Sequence, residues 1–357
     1  LTSGNVTVNA AMQPLLGLYP DPTAGTTDGN VGTLHGAPGS GVDADFMTLR
    51  GDHQFSDNLF YHGSYLIEDA QLQTVDSFQL NERYDTSRRQ FISSEFTYLI
   101  SPTVISATRF GYNRSNMVTG DSKALKPELT LANSPTNLAF VPNRPAGFVV
   151  INSDGVDDFP GGDGSEDIDA YLFESTQFYQ DISVSSGKHD MKFGMNIEVI
   201  RDRGSATNRE NGELSYATLS DFLQDKNVSR FRGQGAESDT TRHFRQKLYG
   251  GYAQDRVAIS NNFSVDLGLR WEMVTSPTEA AGETSKMINF KDTTLVTGTN
   301  YFTTPKINLS PRLGFAWDVF GDGKTALRGG FGVFHEMHLV NLLTIPALRM
   351  PPHFIRF

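Results

Sequence analysis

Residues 151–172 carry Asp154, Asp157, Asp158, Asp163, Glu166, Asp167 and Asp169 with no Lys or Arg among them. Carboxylates crowded around Gly155, Gly161, Gly162 and Gly164 supply the donor chemistry of a hard cation such as Ca²⁺. The D-x-D-x-D-G register of a helix–loop–helix calcium site is missing, and a solvated acidic loop accounts for the same residues without a metal. No other cofactor is expected. His335-Glu336-Met337-His338 has zinc-ligand types, but its histidines are three apart where the helical H-E-x-x-H pattern needs four. No serine elbow, P-loop or dinucleotide-binding glycine pattern occurs, so no enzymatic activity is expected. A hydrolase built on an Asp/His pair is not specified by the sequence, since His53, His62 and His243 cannot be matched to particular aspartates.

A second set of charges, Arg109, Asp266, Arg270, Glu272, Arg312, Asp318 and Arg328, depends on the strands that hold it. From Phe263 to Glu272 the residues Phe263, Val265, Leu267, Leu269 and Trp271 alternate with Ser264, Asp266, Gly268, Arg270 and Glu272. A strand turns alternate side chains to opposite faces, giving one apolar and one charged face. The pattern recurs in Met191, Phe193, Met195, Ile197 and Val199, in Leu313, Phe315, Trp317 and Val319, in Ile92, Phe96, Tyr98 and Ile100, and in Leu59, Tyr61, Tyr65 and Ile67. It blurs over 245–259 and changes register within 173–184. A soluble sandwich alternates too, but its strands run about 5–6 residues. Alternation over roughly 10 residues is the length needed to cross a bilayer as a β-strand. The seven charges then face a lumen, either as a path and docking surface for substrate and plug or as cross-strand ion pairs that hold a polar interior together.

Turns sharpen the reading. Tight Gly/Asn/Asp/Pro-type connections at 56–58, 101–102, 187–190, 261–262 and 321–324 alternate with long links at roughly 70–88, 117–172, 204–244 and 275–308. Short turns on one side and long loops on the other mark an outer-membrane barrel. Five hairpins give about ten strands. Within one long link, Leu219, Phe222 and Leu223 have helical spacing.

Hydrophobic content of 38% leaves no run of 18 apolar residues, which excludes a helical membrane protein but not a barrel. The net charge of −11 argues against a nucleic-acid partner. The chain has no cysteine, which suits the cell envelope.

Three blocks resemble the TonB-dependent outer-membrane receptors of the Oar-like type. They are Tyr249-Gly250-Gly251-Tyr252-Ala253-Gln254-Asp255-Arg256 with Leu267-Gly268-Leu269-Arg270-Trp271-Glu272, then Ser310–Asp318 with Gly321–Gly332, and Ser186–Gly194. Residues 11–20, with Leu15-Leu16 and Tyr19-Pro20, are similar to the stretch before that family's central strands. The resemblance implies a plugged barrel of about 22 strands, energised by an inner-membrane TonB complex through a plug that this sequence does not contain.

The expectation is therefore all-β: an antiparallel up-and-down transmembrane β-barrel portion, of about ten long strands, from a larger receptor in the bacterial outer membrane. Residues 1–42 are expected to be irregular. Residues 43–338 should form hairpins at about 44–69, 90–116, 173–203, 245–274 and 309–338, and 339–357 a Pro-containing loop or chain end. The expected function is import of a scarce bulky nutrient (a metal chelate, vitamin, glycan or peptide). The alternative is a structural or adhesive surface barrel that self-assembles through open sheet edges. Expected partners are outer-membrane lipid and lipopolysaccharide, the TonB complex and an unknown small ligand.

Overall fold

The structure, a computed structural model, describes residues 6–28, 31–36, 38–126, 129–130, 139–152, 156–162 and 167–357. A 3₁₀ turn (Ala10–Met12) leads into α1 (Gln13–Leu16), followed by a small hairpin of β1 (Ala24–Asp28) and β2 (Val31–Thr33). The long strands begin with β3 (Ser40–Ser56), β4 (Leu59–Val75), β5 (Asn81–Ser101) and β6 (Val104–Ala124). After β7 (Phe148–Ile151) come β8 (Asp169–Ser186) and β9 (His189–Ala206), then β10 (Glu213–Tyr216), α2 (Leu219–Gln224) and β11 (Val228–Arg232). The chain continues through β12 (Thr241–Ser260) and β13 (Phe263–Val274), and the short β14 (Thr278–Glu279), β15 (Ser285–Lys286) and β16 (Val296–Thr297). It ends with β17 (Asn308–Asp318), β18 (Ala326–Gly332) and α3 (Asn341–Leu348).

One antiparallel sheet runs β18-β17-β13-β12-β9-β8-β6-β5-β4-β3, with β14 added beside β12. Every long strand pairs with its sequence neighbour among the long strands, which is an up-and-down barrel wall. The sheet does not close on itself: β3 and β18 are its two edges. Tight turns join the hairpins on one side. Gly187 takes φ +59° between β8 and β9, and Gly321 and Gly323 take φ +71° and +72° between β17 and β18, a left-handed backbone that glycine adopts without strain. Asp318 fastens that last turn by accepting from the amides of Gly321 at 3.1 Å and Gly323 at 2.8 Å.

The register puts the apolar stripes side by side. Phe110 lies opposite Phe178, Phe178 opposite Ile197, Ile197 opposite Tyr249, and Tyr249 opposite Met273. A parallel row runs Val184, Met191, Asp255, Leu267, Leu313 and Phe331. None of these side chains is buried, and Phe110 at 50% and Phe331 at 70% are openly exposed, which is the arrangement of a wall solvated by lipid tails.

The long-loop side departs from expectation. The link at 70–88 is mostly strand: β4 and β5 pair as far as Val75 and Glu82, leaving only 76–80 as connection. Strands of 17–21 residues outreach the roughly 9–11 that a bilayer needs, so the wall continues above the membrane. Residues 1–42 are not uniformly irregular, because Pro14 and the leucines of α1 and the β1–β2 hairpin give them local order. Residues 339–357 are not a loop throughout: α3 forms despite Pro346, because Ala347 and Leu348 are buried. Burial of that apolar face offsets the backbone bond that proline removes.

The long links also fold together. β11, β10 and β7 make a separate three-stranded sheet, over a core of Met12, Leu15, Phe78, Val149, Phe159 and Phe222. This cap draws on the N-terminal segment and three different links, so each is ordered by the others.

Candidate functional site

The candidate site is the polar face of the wall together with what covers its outer end. Parity along the register places all seven of Arg109, Asp266, Arg270, Glu272, Arg312, Asp318 and Arg328 on this one face. Three of them converge. Arg109, Tyr179, Asn196, Gly250 and Glu272 form one row across five strands. The next row holds Asp181, Gly194, Tyr252 and Arg270.

Across these rows Arg109 contacts Asp181 and lies 3.5 Å from Glu95. The Tyr252 hydroxyl donates to the Asp181 carboxylate at 2.5 Å. Arg270 pairs with Glu272 at 2.8 Å and reaches Asn196 at 3.5 Å. Gly194 makes this possible: a Cβ there would collide with both the Asp181 carboxylate and the Tyr252 ring. Asp181 and Tyr252 are absent from the sequence-derived set, because a register was needed to see that they meet. The alternation of Gly194 with bulky Phe193 and Met195 was the available signal.

The other four charges lie apart. Asp266 pairs with Arg256 at 2.7 Å. Arg312 stacks over the Phe334 ring at 5.0 Å. Asp318 is committed to its turn, and Arg328 is exposed opposite Ala316.

Toward the long-loop end the same face is covered by the C-terminal segment. Gln246 accepts from the Val340 amide at 2.9 Å and donates to the His338 and Thr275 carbonyls at 3.0 Å each. Thr344 donates to Asp202 at 2.6 Å. Ile200, Phe244, Val340 and Ala347 close an apolar cluster there. Arg349 continues the contact to the Thr207 carbonyl at 2.8 Å and to Asp167 and Asp169 at 3.5 and 3.4 Å.

Of the acidic loop, Asp154, Asp163 and Glu166 lie outside the described residues. Asp158 accepts from the Ile151 amide at 2.9 Å, and Asp167 from the Arg209 amide at 3.1 Å and the Asn208 side chain at 3.0 Å. Asp169 faces Arg349, and the Asp157 carbonyl accepts from Tyr19 at 3.5 Å. Among the described residues no group of three or more His, Asp or Glu side chains is placed to hold a metal ion. His335 pairs through Nδ1 with the Ser310 hydroxyl at 3.1 Å, while His338 lies tilted against Phe302, ring centroids 6.0 Å apart.

The cap holds a fully enclosed charge. Glu213 is fully buried, and Arg209, Arg230 and Arg232 reach its carboxylate at 3.0, 3.0 and 2.6 Å. Burial pushes this carboxyl up, but the hydrogen bond and charge of Arg232, with the charges of Arg209 and Arg230, hold it below the usual range.

No curated protein matches the sequence. Solved structures that resemble it are outer-membrane proteins. The outer membrane transporter YddB from Escherichia coli is 13% identical with a TM-score of 0.47, over 81% of this chain and 31% of that one. The alcaligin receptor FauA from Bordetella pertussis is 8% identical at 0.45, over 78% and 33%. The siderophore receptor PirA from Acinetobacter baumannii is 14% identical at 0.43, over 82% and 33%. The chain thus spans about a third of the length of these structures. A family profile describing an outer membrane beta barrel domain matches residues 3–354. With the polar wall, the lipid-facing apolar stripes and the alternating turns already in place, the chain belongs to the outer membrane beta barrel domain family, and its place is the bacterial outer membrane.

Proposed function

We propose that this barrel wall is part of a TonB-coupled receptor that captures a scarce bulky nutrient at the cell surface and imports it. The observation that carries the reading is the roofed polar face. Arg109, Asp181, Tyr252, Arg270 and Glu272 form a hydrogen-bonded wall, and above it α3 and the loop-built cap cover the outer end. A diffusion pore needs an open mouth. A receptor that closes on its cargo needs folded material there, with polar groups beneath to replace the cargo's water. The blocks around Tyr249–Arg256, Ser310–Asp318 and Ser186–Gly194 support the same reading through their resemblance to TonB-dependent receptors. The wall suits a hydroxyl- and amide-rich cargo as well as a charged one.

Two measurements on the native protein test this. Its intact mass from the outer-membrane fraction should lie well above the 39.3 kDa of this chain, with added peptides that include a TonB-contacting plug. Cells carrying it should accumulate a labelled ferric siderophore, cobalamin, oligosaccharide or oligopeptide from a panel, and a protonophore should abolish that uptake. A mass of 39.3 kDa, or binding with no energy-dependent accumulation of any probe, would sink transport in favour of a self-contained surface barrel.

A further inference from the structure

One row of the lumen face is cationic with nothing on it to balance the charge. The register aligns Ser183, Lys192, Gln254, Gly268, Arg312 and Gly332 across six strands, and none of the six is acidic. Among the described residues neither Lys192 nor Arg312 takes part in an ion pair; Arg312 lies over the Phe334 ring instead. The neighbouring rows differ. Above, Asp181 and Arg270 are committed to Arg109, Tyr252 and Glu272. Below, Asp190 and Asp266 both stand beside Arg256 in the register, and Asp266 pairs with it at 2.7 Å.

The missing side chain at Gly268 turns this row into a recess. Gly268 stands between Gln254 and Arg312, with Arg270 next above it on the same face of β13. A recess of about 160 Å³ opens there, lined by Lys192, Tyr252, Gln254, Gly268, Arg270 and Arg312, and none of its lining residues is a carboxylate. Lys192 and Arg312 stand three strands apart, roughly 14 Å at the backbone. Two long side chains close that gap from opposite sides over the Gly268 floor, and the Gln254 amide adds an uncharged donor. Below, the recess joins a trough of about 600 Å³ that shares Lys192, Gln254, Gly268 and Arg312 but is also lined by Asp190, Asp255 and Asp266. Asp255 turns to the outer face and holds His189 at 2.6 Å; Asp190 and Asp266 make the trough the poorer place for an anion. Behind the recess Met191, Phe193, Leu267, Leu269 and Leu313 face outward, so apolar material backs the wall and screens its charges weakly.

We propose that the recess over Gly268 binds an oxyanion, the carboxylate or phosphate of an acidic cargo passing along the wall. The Arg312 guanidinium forks such a group bidentately, and Lys192 meets it as a point charge. An uncharged cargo gains nothing from either cation, so the recess narrows the cargo to acidic solutes. The recess stands on its own geometry; that its occupant is cargo rests on the import reading above.

The test is isothermal titration calorimetry on the full-length protein in neutral detergent, with citrate, inorganic phosphate and the uncharged polyol sorbitol as probes. Citrate or phosphate should bind and sorbitol should not, and the tighter of the two anions identifies the oxyanion that the cargo carries. K192Q/R312Q removes the charge and leaves the space, and should weaken binding roughly ten-fold or more. Gly268→Leu keeps both cations and fills the space. A Cβ there meets only ordinary contacts, Arg312 at 3.7 Å and Gln254 at 3.8 Å, so the strand accommodates it, and binding should fall as far. Lys324→Gln, in an exposed turn, should bind as the unaltered protein does. Equal binding by K192Q/R312Q or by Gly268→Leu, or an equal loss in Lys324→Gln, would overturn the proposal. So would failure of both anions to bind, the result expected if a carboxylate of the receptor's own fills the recess. Binding needs no energy source, so the two readings fail separately. Anion binding without energy-dependent uptake of any probe sinks import alone, and undiminished uptake by cells carrying K192Q/R312Q sinks the recess alone.

Discussion

Glu213 meets Arg209, Arg230 and Arg232 where β10, β11 and the preceding turn converge, and Arg209 also stacks on Phe148 of β7 at 4.2 Å. A buried carboxylate is costly unless every lone pair is used, and here three guanidinium groups use them. Removing it strands Arg209 and Arg232, which are mostly buried, while the exposed Arg230 turns to water, so Glu213→Ala should destabilise the cap by about 3–5 kcal/mol. Amides of β7, β10 and β11 should then exchange more than a hundred-fold faster, with the membrane strands unchanged; unchanged cap exchange would show the cluster to be dispensable. The pH dependence follows from the depressed carboxyl. The group binds its proton less readily folded than unfolded, so its stabilisation is complete above the unfolded carboxylate pKa of about 4.3. It fades as the pH falls toward the folded value. The protection factors of the cap amides, referred to the intrinsic exchange rate at each pH, should fall on acidification from pH 5 downward, and the Ala variant should lose that response. Arg230 and Arg232 stand two apart and so share one face of β11, a spacing that by itself singles out no site. Their convergence on Glu213 was not legible in the sequence, because it needs the β10–β11 register.

Strand β12 explains why some elements read poorly. In the membrane its outward positions face lipid and its inward positions face the lumen, the usual polarity of a barrel strand. Above the membrane the polarity reverses. Phe244 and Gln246 turn inward beneath α3, while His243, Arg245 and Lys247 turn to the outer face. Across 245–259 the outward positions pass from Arg245 and Lys247 through Tyr249 to Gly251, Ala253 and Asp255 before Val257 and Ile259, so no continuous apolar face can be read. Strands β9, β13 and β17 were legible where they keep one regime through the bilayer. The cap and α3 were not, since their apolar residues are scattered over several links and become a core only once brought together. Leu348 is fully buried and touches the bare backbone at Gly204, so it is the anchor of α3. Leu348→Ala should cost about 2–5 kcal/mol. It should free α3 to exchange and to be cut by protease, while the β9–β12 ladder keeps its protection. Loss of protection in that ladder would mean that the wall itself depends on the helix.

At the scale of the whole molecule the sheet presents two edges. All 17 residues of β3 are exposed, and β18 is exposed over nearly its whole length. In a bilayer an unpaired backbone group has no water to turn to and costs several kcal/mol, so a lipid-facing edge of this length does not persist. Long exposed edges also recruit other strands indiscriminately. The membrane parts of β3 and β18 must therefore be paired in the native assembly. The proposed receptor satisfies this with strands of the same polypeptide, and the surface-barrel alternative with a second copy. Hydrogen exchange on the protein purified in its native form separates these. If further strands of one chain complete the wall, edge amides in β3 and β18 should exchange as slowly as those of β9, and dilution should leave that protection unchanged. If copies pair edge to edge, the same protection should fall as dilution dissociates them. Rapid exchange at every concentration would mean that β3 and β18 end the wall against lipid, and would place this sheet outside the physics of every barrel that spans a membrane.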